Sequence, residues 1–118
     1  MNILLIGVGG GLGAITRYFF SIVVSEFDDS AFPFATFTVN LIGCFIVGYI
    51  IASGLNSKDF INNFFVIGFL GSFTTMSAFS NQTLELFSSN QPFIGFLYII
   101  STIAFTLAAT YVGLILGR

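Results

Sequence analysis

Charge is nearly absent from this chain, and its placement decides what the chain can fold into. The charged side chains are Arg17, Glu26, Asp28, Asp29, Lys58, Asp59, Glu85 and Arg118. Between Asp29 and Lys58 lie 28 uncharged residues, between Asp59 and Glu85 lie 25, and between Glu85 and Arg118 lie 32. A membrane-spanning helix needs about 20 mostly apolar residues. The spacing therefore predicts four spans, near residues 3–25, 34–54, 60–87 and 92–116, in a single transmembrane domain covering 1–118. Polar turns separate them at Asp28-Asp29-Ser30, Gly54-Leu55-Asn56-Ser57 and Ser88-Ser89-Asn90-Gln91. The apolar runs lack the period-two alternation of a membrane barrel, so the expected class is an all-α integral membrane protein. Only 7% of residues are charged, against about 25% in soluble domains. That is too little charge to clothe a soluble surface, and a lipid bilayer is the solvent that needs no such cover.

The same scarcity excludes several functions. A nucleic-acid binder needs clustered Lys and Arg, and the chain has three such residues, far apart. It has no histidine and one cysteine, so neither a zinc site nor an internal disulfide is expected. Cys44 is expected to pack as a small apolar residue. An enzyme is not expected: no histidine, no lysine near a buried serine and no paired carboxylates stand in a span. The first span has no basic start and no clear cleavage site, so it is not read as a cleaved signal. Gly9 to Ala14 fit the G-x-G-x-x-G/A dinucleotide pattern. That pattern works only in a strand–helix–strand unit, and an uncharged spanning segment follows instead. Helix packing is the better reading. Gly7 and Gly11, Gly9 and Gly13, and Ala109, Gly113 and Gly117 are each spaced by four, which lets helix backbones approach closely. Four short helices bury little polar surface, so an oligomer is expected. Lys58 and Arg118 give a weak preference for an inside N-terminus.

Polar residues inside the spans suggest a path. Arg17 either snorkels to the headgroups beside Tyr18 or faces protein or water as a structural cation. Asn40 is an interhelical hydrogen-bonding residue or an anion donor. Tyr98, Thr102, Thr106 and Thr110 recur every four residues. They form one stripe roughly 18 Å long, which suits a polar path, although such hydroxyls also bond their own helix backbone. The third span carries Gly68, Gly71, Ser72, Thr74, Thr75 and Ser77 without a charge. That composition predicts a helix broken in mid-membrane. Freed carbonyls at such a break hold cations, and freed N–H groups favour anions. Phe79, three residues after Met76, offers a ring edge of partial positive charge. A path of neutral donors without Lys or Arg would pass a small hard anion and avoid trapping it.

Three stretches, in order, carry a family resemblance. Gly9-Gly10-Gly11-Leu12-Gly13-Ala14-Ile15-Thr16-Arg17-Tyr18 is similar to a G-G-x-x-G-A-x-x-R-Y opening. Pro33-Phe34-Ala35-Thr36-Phe37-Thr38-Val39-Asn40-Leu41-Ile42-Gly43 is similar to P-x-G-T-L-x-V-N-x-x-G. The stretch from Gly68-Phe69-Leu70-Gly71-Ser72 through Phe73-Thr74-Thr75-Met76-Ser77-Ala78-Phe79-Ser80 is similar to G-F-x-G-G-x-T-T-F-S-T-F-S. Over essentially its whole length the sequence resembles the Fluc (CrcB) family of fluoride channels.

The resemblance implies an antiparallel, dual-topology dimer in the cell membrane, with two fluoride pores and a central structural sodium ion. Backbone carbonyls of Gly71 and Thr74 would hold the sodium. Asn40, Thr75, Met76, Ser77, Phe79, Tyr98, Thr102 and Thr106 would line the fluoride path, and Arg17 would be structural. The channel would export fluoride passively and so prevent its toxicity. Three departures from the pattern matter: Ala35 replaces a glycine, Met76 a pore phenylalanine, and Gln82 a glutamate. Methionine offers no positive ring edge. One alternative is therefore a subunit of a heterodimeric channel, paired with a paralogous chain, in which one pore has degenerated. Another class, a small proton-coupled multidrug exporter, would have to use Glu85 as its membrane carboxylate. A third is a non-conducting structural subunit.

Overall fold

The computed structural model describes residues 2–118, and all regular structure among them is helical. Four helical stretches are long and apolar enough to cross a membrane: Asn2–Phe27, Phe34–Ala52, Ile61–Ser88 and Pro92–Gly117. The first is α1 (Asn2–Phe27) and the second α2 (Phe34–Ala52). Pro33 sits just before α2, and its carbonyl accepts the Phe37 N–H at 3.1 Å to start the helix. Gly54, at φ +74°, takes the left-handed conformation that few other residues adopt, and a short 3-10 turn (Leu55–Ser57) follows.

The third stretch is wound in pieces. Ile61–Leu70 is a π-helix, Gly71–Phe73 is a single α-helical turn (α3), and Met76–Ser88 is α4. Between them Thr74 (φ −83°, ψ 157°) and Thr75 (φ −151°, ψ 121°) have extended backbone. Thr75 caps α4, its Oγ1 accepting the Ala78 N–H at 3.2 Å. Asn90, at φ 62°, turns the chain into α5 (Pro92–Gly117). Pro92 stands in the first turn of α5, where a missing N–H costs nothing.

Small residues set the packing. A side-chain carbon added to Gly48 or Gly113 would collide with backbone of the facing helix, Thr110 on α5 and Phe45 on α2 respectively. A carbon added to Gly117 would likewise meet the Tyr49 carbonyl, at 2.5 Å. Thus α2 and α5 lie backbone to backbone. Likewise Gly9 and Gly13 of α1 sit against the carbonyls of Phe64 and Phe69 in the π-helix. In lipid no hydrophobic force brings helices together, so this close contact is the main cohesion. Gly7 and Gly11 form the other small row on α1, and nothing lies within 4 Å of an added carbon at either. The two rows lie on different faces of one helix, and only one face meets the π-helix.

The buried core is thin: Val39 and Tyr98 are fully enclosed, with Ile50, Leu70, Phe73 and Leu86 nearly so. Large apolar side chains such as Ile3, Phe27, Phe93, Ile100 and Leu107 point outward. In a bilayer that arrangement is stable, since lipid tails are as apolar as leucine.

Candidate functional site

The interruption at Thr74–Thr75 faces α2, and Asn40 holds it there. The Asn40 Nδ2 donates to the Thr75 carbonyl at 3.1 Å, and the Thr75 N–H donates to Asn40 Oδ1 at 2.7 Å. Asn40 is 8% exposed, so these bonds form away from water and leaving either unmade is costly. Close packing assists: a side-chain carbon on Gly43 would collide with the Thr74 methyl. Asn40 and Gly43 lie about one helical turn apart on α2, so one face of that helix receives both extended residues.

This arrangement frees the carbonyls of Gly71 and Thr74, among others at the break. In a continuous helix the Thr75 N–H would return to Gly71, and the Ala78 N–H to Thr74. Here the first goes to Asn40 Oδ1 and the second to Thr75 Oγ1. The Thr74 hydroxyl and N–H both turn back to the Leu70 carbonyl, at 3.0 and 3.1 Å. The Gly71 and Thr74 carbonyls are thereby released from helical duty.

A cavity of about 340 Å³ opens beside the interruption. Asn40, Gly71, Thr74, Thr75, Met76, Phe79, Thr102 and Thr106 all line it. Gly43, Cys44, Val47, Val66 and Leu70 complete the wall. The sequence reading named none of these five as a site residue. Cys44 had one signal, its spacing of four from Asn40, which puts both on one face. Among the described residues, no charged side chain lines the cavity.

The remaining candidates lie outside its wall. Ser77 is exposed, its hydroxyl 3.3 Å from that of Thr75. Tyr98 is fully enclosed, its ring packing against Phe79 with centroids 5.0 Å apart. The Tyr98 hydroxyl donates to Gln82 Oε1 at 3.0 Å, a partner that spacing alone did not suggest. Arg17 is half-buried, and its Nε donates to the Ser72 carbonyl at 3.0 Å, bracing α3 from the side of α1.

The hydroxyl stripe of α5 divides in two. Thr106 donates to the Thr102 carbonyl, and Thr110 to that of Thr106, so these serve their own helix. Thr102 differs: it is 8% exposed and its Oγ1 has no partner among the described residues. An unpartnered buried hydroxyl is uncommon in a folded protein and calls for an explanation.

The comparisons with known proteins agree with one another. Residues 4–114 match the family described as "CrcB-like protein, Camphor Resistance (CrcB)". A "Fluoride-specific ion channel FluC" of Flavobacterium psychrophilum is 38% identical, over 99% of this chain and 97% of its own. The protein of that name from Azobacteroides pseudotrichonymphae is also 38% identical, over 98% of this chain and 94% of its own. That of Ruminiclostridium cellulolyticum is 36% identical, over 100% and 93%. Together with four helices able to span a bilayer, these matches make the protein a multi-pass membrane protein of the cell, and its chain belongs to the CrcB family.

Proposed function

We propose that this chain is a subunit of a fluoride-selective channel that lets fluoride leave the cell passively. The observation that carries the reading is the cavity beside Asn40, walled by neutral groups and flanked by an interrupted helix. Relatives matched over the full chain and named as fluoride-specific channels support it.

Fluoride is small and strongly hydrated, so a path must replace its water with donors and still let it go. The unpartnered Thr102 hydroxyl can donate without breaking an existing bond. The Asn40 Nδ2 has a second hydrogen beyond the one given to Thr75. Phe79 supplies a ring edge. Without Lys or Arg in the wall, no fixed cation traps the anion. The path would run past Asn40, Thr75, Met76 and Phe79, then along Thr102 and Thr106, with Ser77 and Tyr98 completing it. The membrane potential supplies about 2.3 kcal/mol per charge per 100 mV, which suffices for export without a pump.

The interruption lies in mid-membrane on this reading, and two chains pair antiparallel around it. The freed Gly71 and Thr74 carbonyls suit a sodium ion, since a hard cation prefers oxygen donors and both residues lie at the released turn. Such an ion would fix the geometry of α3 and α4 at the dimer centre. Arg17 braces the same turn through Ser72. An exporter is less well supported, because Glu85 lies outside the cavity wall and accepts from Asn81 at 2.9 Å.

The test is fluoride efflux from liposomes containing this chain alone, read with a fluoride electrode, with chloride as control. Rapid, sodium-dependent, fluoride-only efflux is expected. A second reading follows from Met76, which lines the cavity where the family pattern has phenylalanine. On that reading efflux appears only when a paralogous chain is co-expressed. No fluoride flux in either preparation would overturn both.

A further inference from the structure

Phe79 lines the cavity, and what its ring offers an anion depends on how the ring is turned. A phenyl edge is partly positive and its face partly negative. Rotation about χ2 therefore converts an attractive wall into a repulsive one. That torsion is broad and two-fold, with no sharp staggered wells, so packing has to hold it. Tyr98 of α5 is placed to do so: the two ring centroids are 5.0 Å apart, with the planes inclined at 55°. Tyr98 is itself confined. It is fully enclosed, and Phe32, in the turn before α2, packs against it T-shaped with centroids 5.3 Å apart. Its hydroxyl donates to Gln82 Oε1 at 3.0 Å. Gln82 belongs to α4, as Phe79 does, and stands three residues after it on the same side of the helix. A chain of contacts thus leaves α4 at Gln82, passes through Tyr98 and returns to α4 at Phe79.

We infer that Gln82 is a positioning residue for fluoride passage: it anchors the Tyr98 hydroxyl, and the Tyr98 ring so held sets the rotation of Phe79. A buried hydroxyl deprived of its acceptor is costly. Without Gln82 the Tyr98 ring moves to recover a bond, and the surface it presents to Phe79 moves with it. An amide suits this task beside an anion path. Its oxygen accepts the tyrosine proton, and it brings no charge to repel fluoride. Glu85, the one charged residue of α4, is exposed and accepts from Asn81, so its carboxylate is engaged away from Tyr98. This role presupposes the fluoride path proposed above, whereas the rotation of Phe79 can be read without any flux.

The test places 3-fluorophenylalanine at position 79 of the purified full chain and records its fluorine NMR spectrum. A held ring keeps its two meta orientations distinct, so resolved lines are expected in the otherwise unsubstituted chain, a readout that needs no variant to fold. Gln82→Leu should merge or shift them, and Tyr98→Phe should do the same. In liposomes each of these variants should lower fluoride efflux at least tenfold. The two together should lose no more than either alone, because both remove one bond. In a Phe79→Leu background Gln82→Leu should cost less than twofold, whereas a merely structural role would cost the same in both backgrounds. A single averaged line in the unsubstituted chain, an unchanged spectrum in Gln82→Leu, or a tenfold loss that persists without Phe79 would overturn the inference. Absent efflux from the unsubstituted chain, with and without a paralogous chain, would overturn the channel reading and this role in passage with it, while the spectrum would still report whether Gln82 sets the ring.

Discussion

At the scale of single residues, Asn40 does two things with one side chain. Its amide closes a reciprocal pair with the Thr75 backbone, and in doing so it takes the N–H that would have occupied the Gly71 carbonyl. Asn40→Ala leaves two polar backbone groups without partners. It should lower stability by about 1–3 kcal/mol, measured as the thermal unfolding midpoint of the detergent-solubilised protein. Thr102 makes the opposite case. Its hydroxyl is buried without a bond, so Thr102→Val removes a burden and should stabilise the fold by about 1 kcal/mol or leave it unchanged. The same variant should lose at least tenfold in fluoride efflux. A hydroxyl that merely packs would show the stability effect alone. The sequence made Asn40 and the α5 hydroxyls legible as polar groups in apolar helices. It could not say which hydroxyl stays free, because a spacing of four gives the stripe but not the partners. Thr106 and Thr110 bond the carbonyls four residues behind them, and Thr102 does not.

Among the elements, glycine placement decides which faces meet. Gly13→Ala would push a methyl into the Phe69 carbonyl, and forcing the π-helix away should cost about 1–3 kcal/mol. Gly11→Ala meets nothing within 4 Å in the subunit and should gain slightly in helix propensity, by up to about 1 kcal/mol. Unfolding of the two variants side by side checks the contrast. The existence of four helices was legible from the gaps between charges, because a spanning helix and a bilayer have nearly the same length. The partner of each small face was not legible: rows four apart occur on both faces of α1, and nothing local marks the one that packs. The winding of Ile61–Leu70 was hidden for a similar reason. Its apolar residues suit an α-helix and a π-helix alike, so nothing local marks the choice.

For the whole molecule, helix length and helix contact combine into a constraint on the host bilayer. The outer helices α1 and α5 have 26 residues each, and α2 has 19. At 1.5 Å per residue these are about 39 Å and about 28 Å long, against a hydrocarbon core of about 30 Å. Alone, α2 would stand upright while α5 leaned. Yet Gly48, Gly113 and Gly117 bind the two backbones together, so they share one inclination. The bundle is therefore a gauge of membrane thickness. Thinning the bilayer with short-chain lipids should tilt α2 and α5 as a unit and carry Asn40 with them, shifting the strut that holds Thr75. Fluoride efflux measured across a series of acyl-chain lengths should pass through a maximum, and a Gly113→Ala variant, its helices uncoupled, should flatten that curve. A protein with almost no charge to anchor it would thus take its working geometry from the lipid, and the composition of the membrane would act as its adjustment.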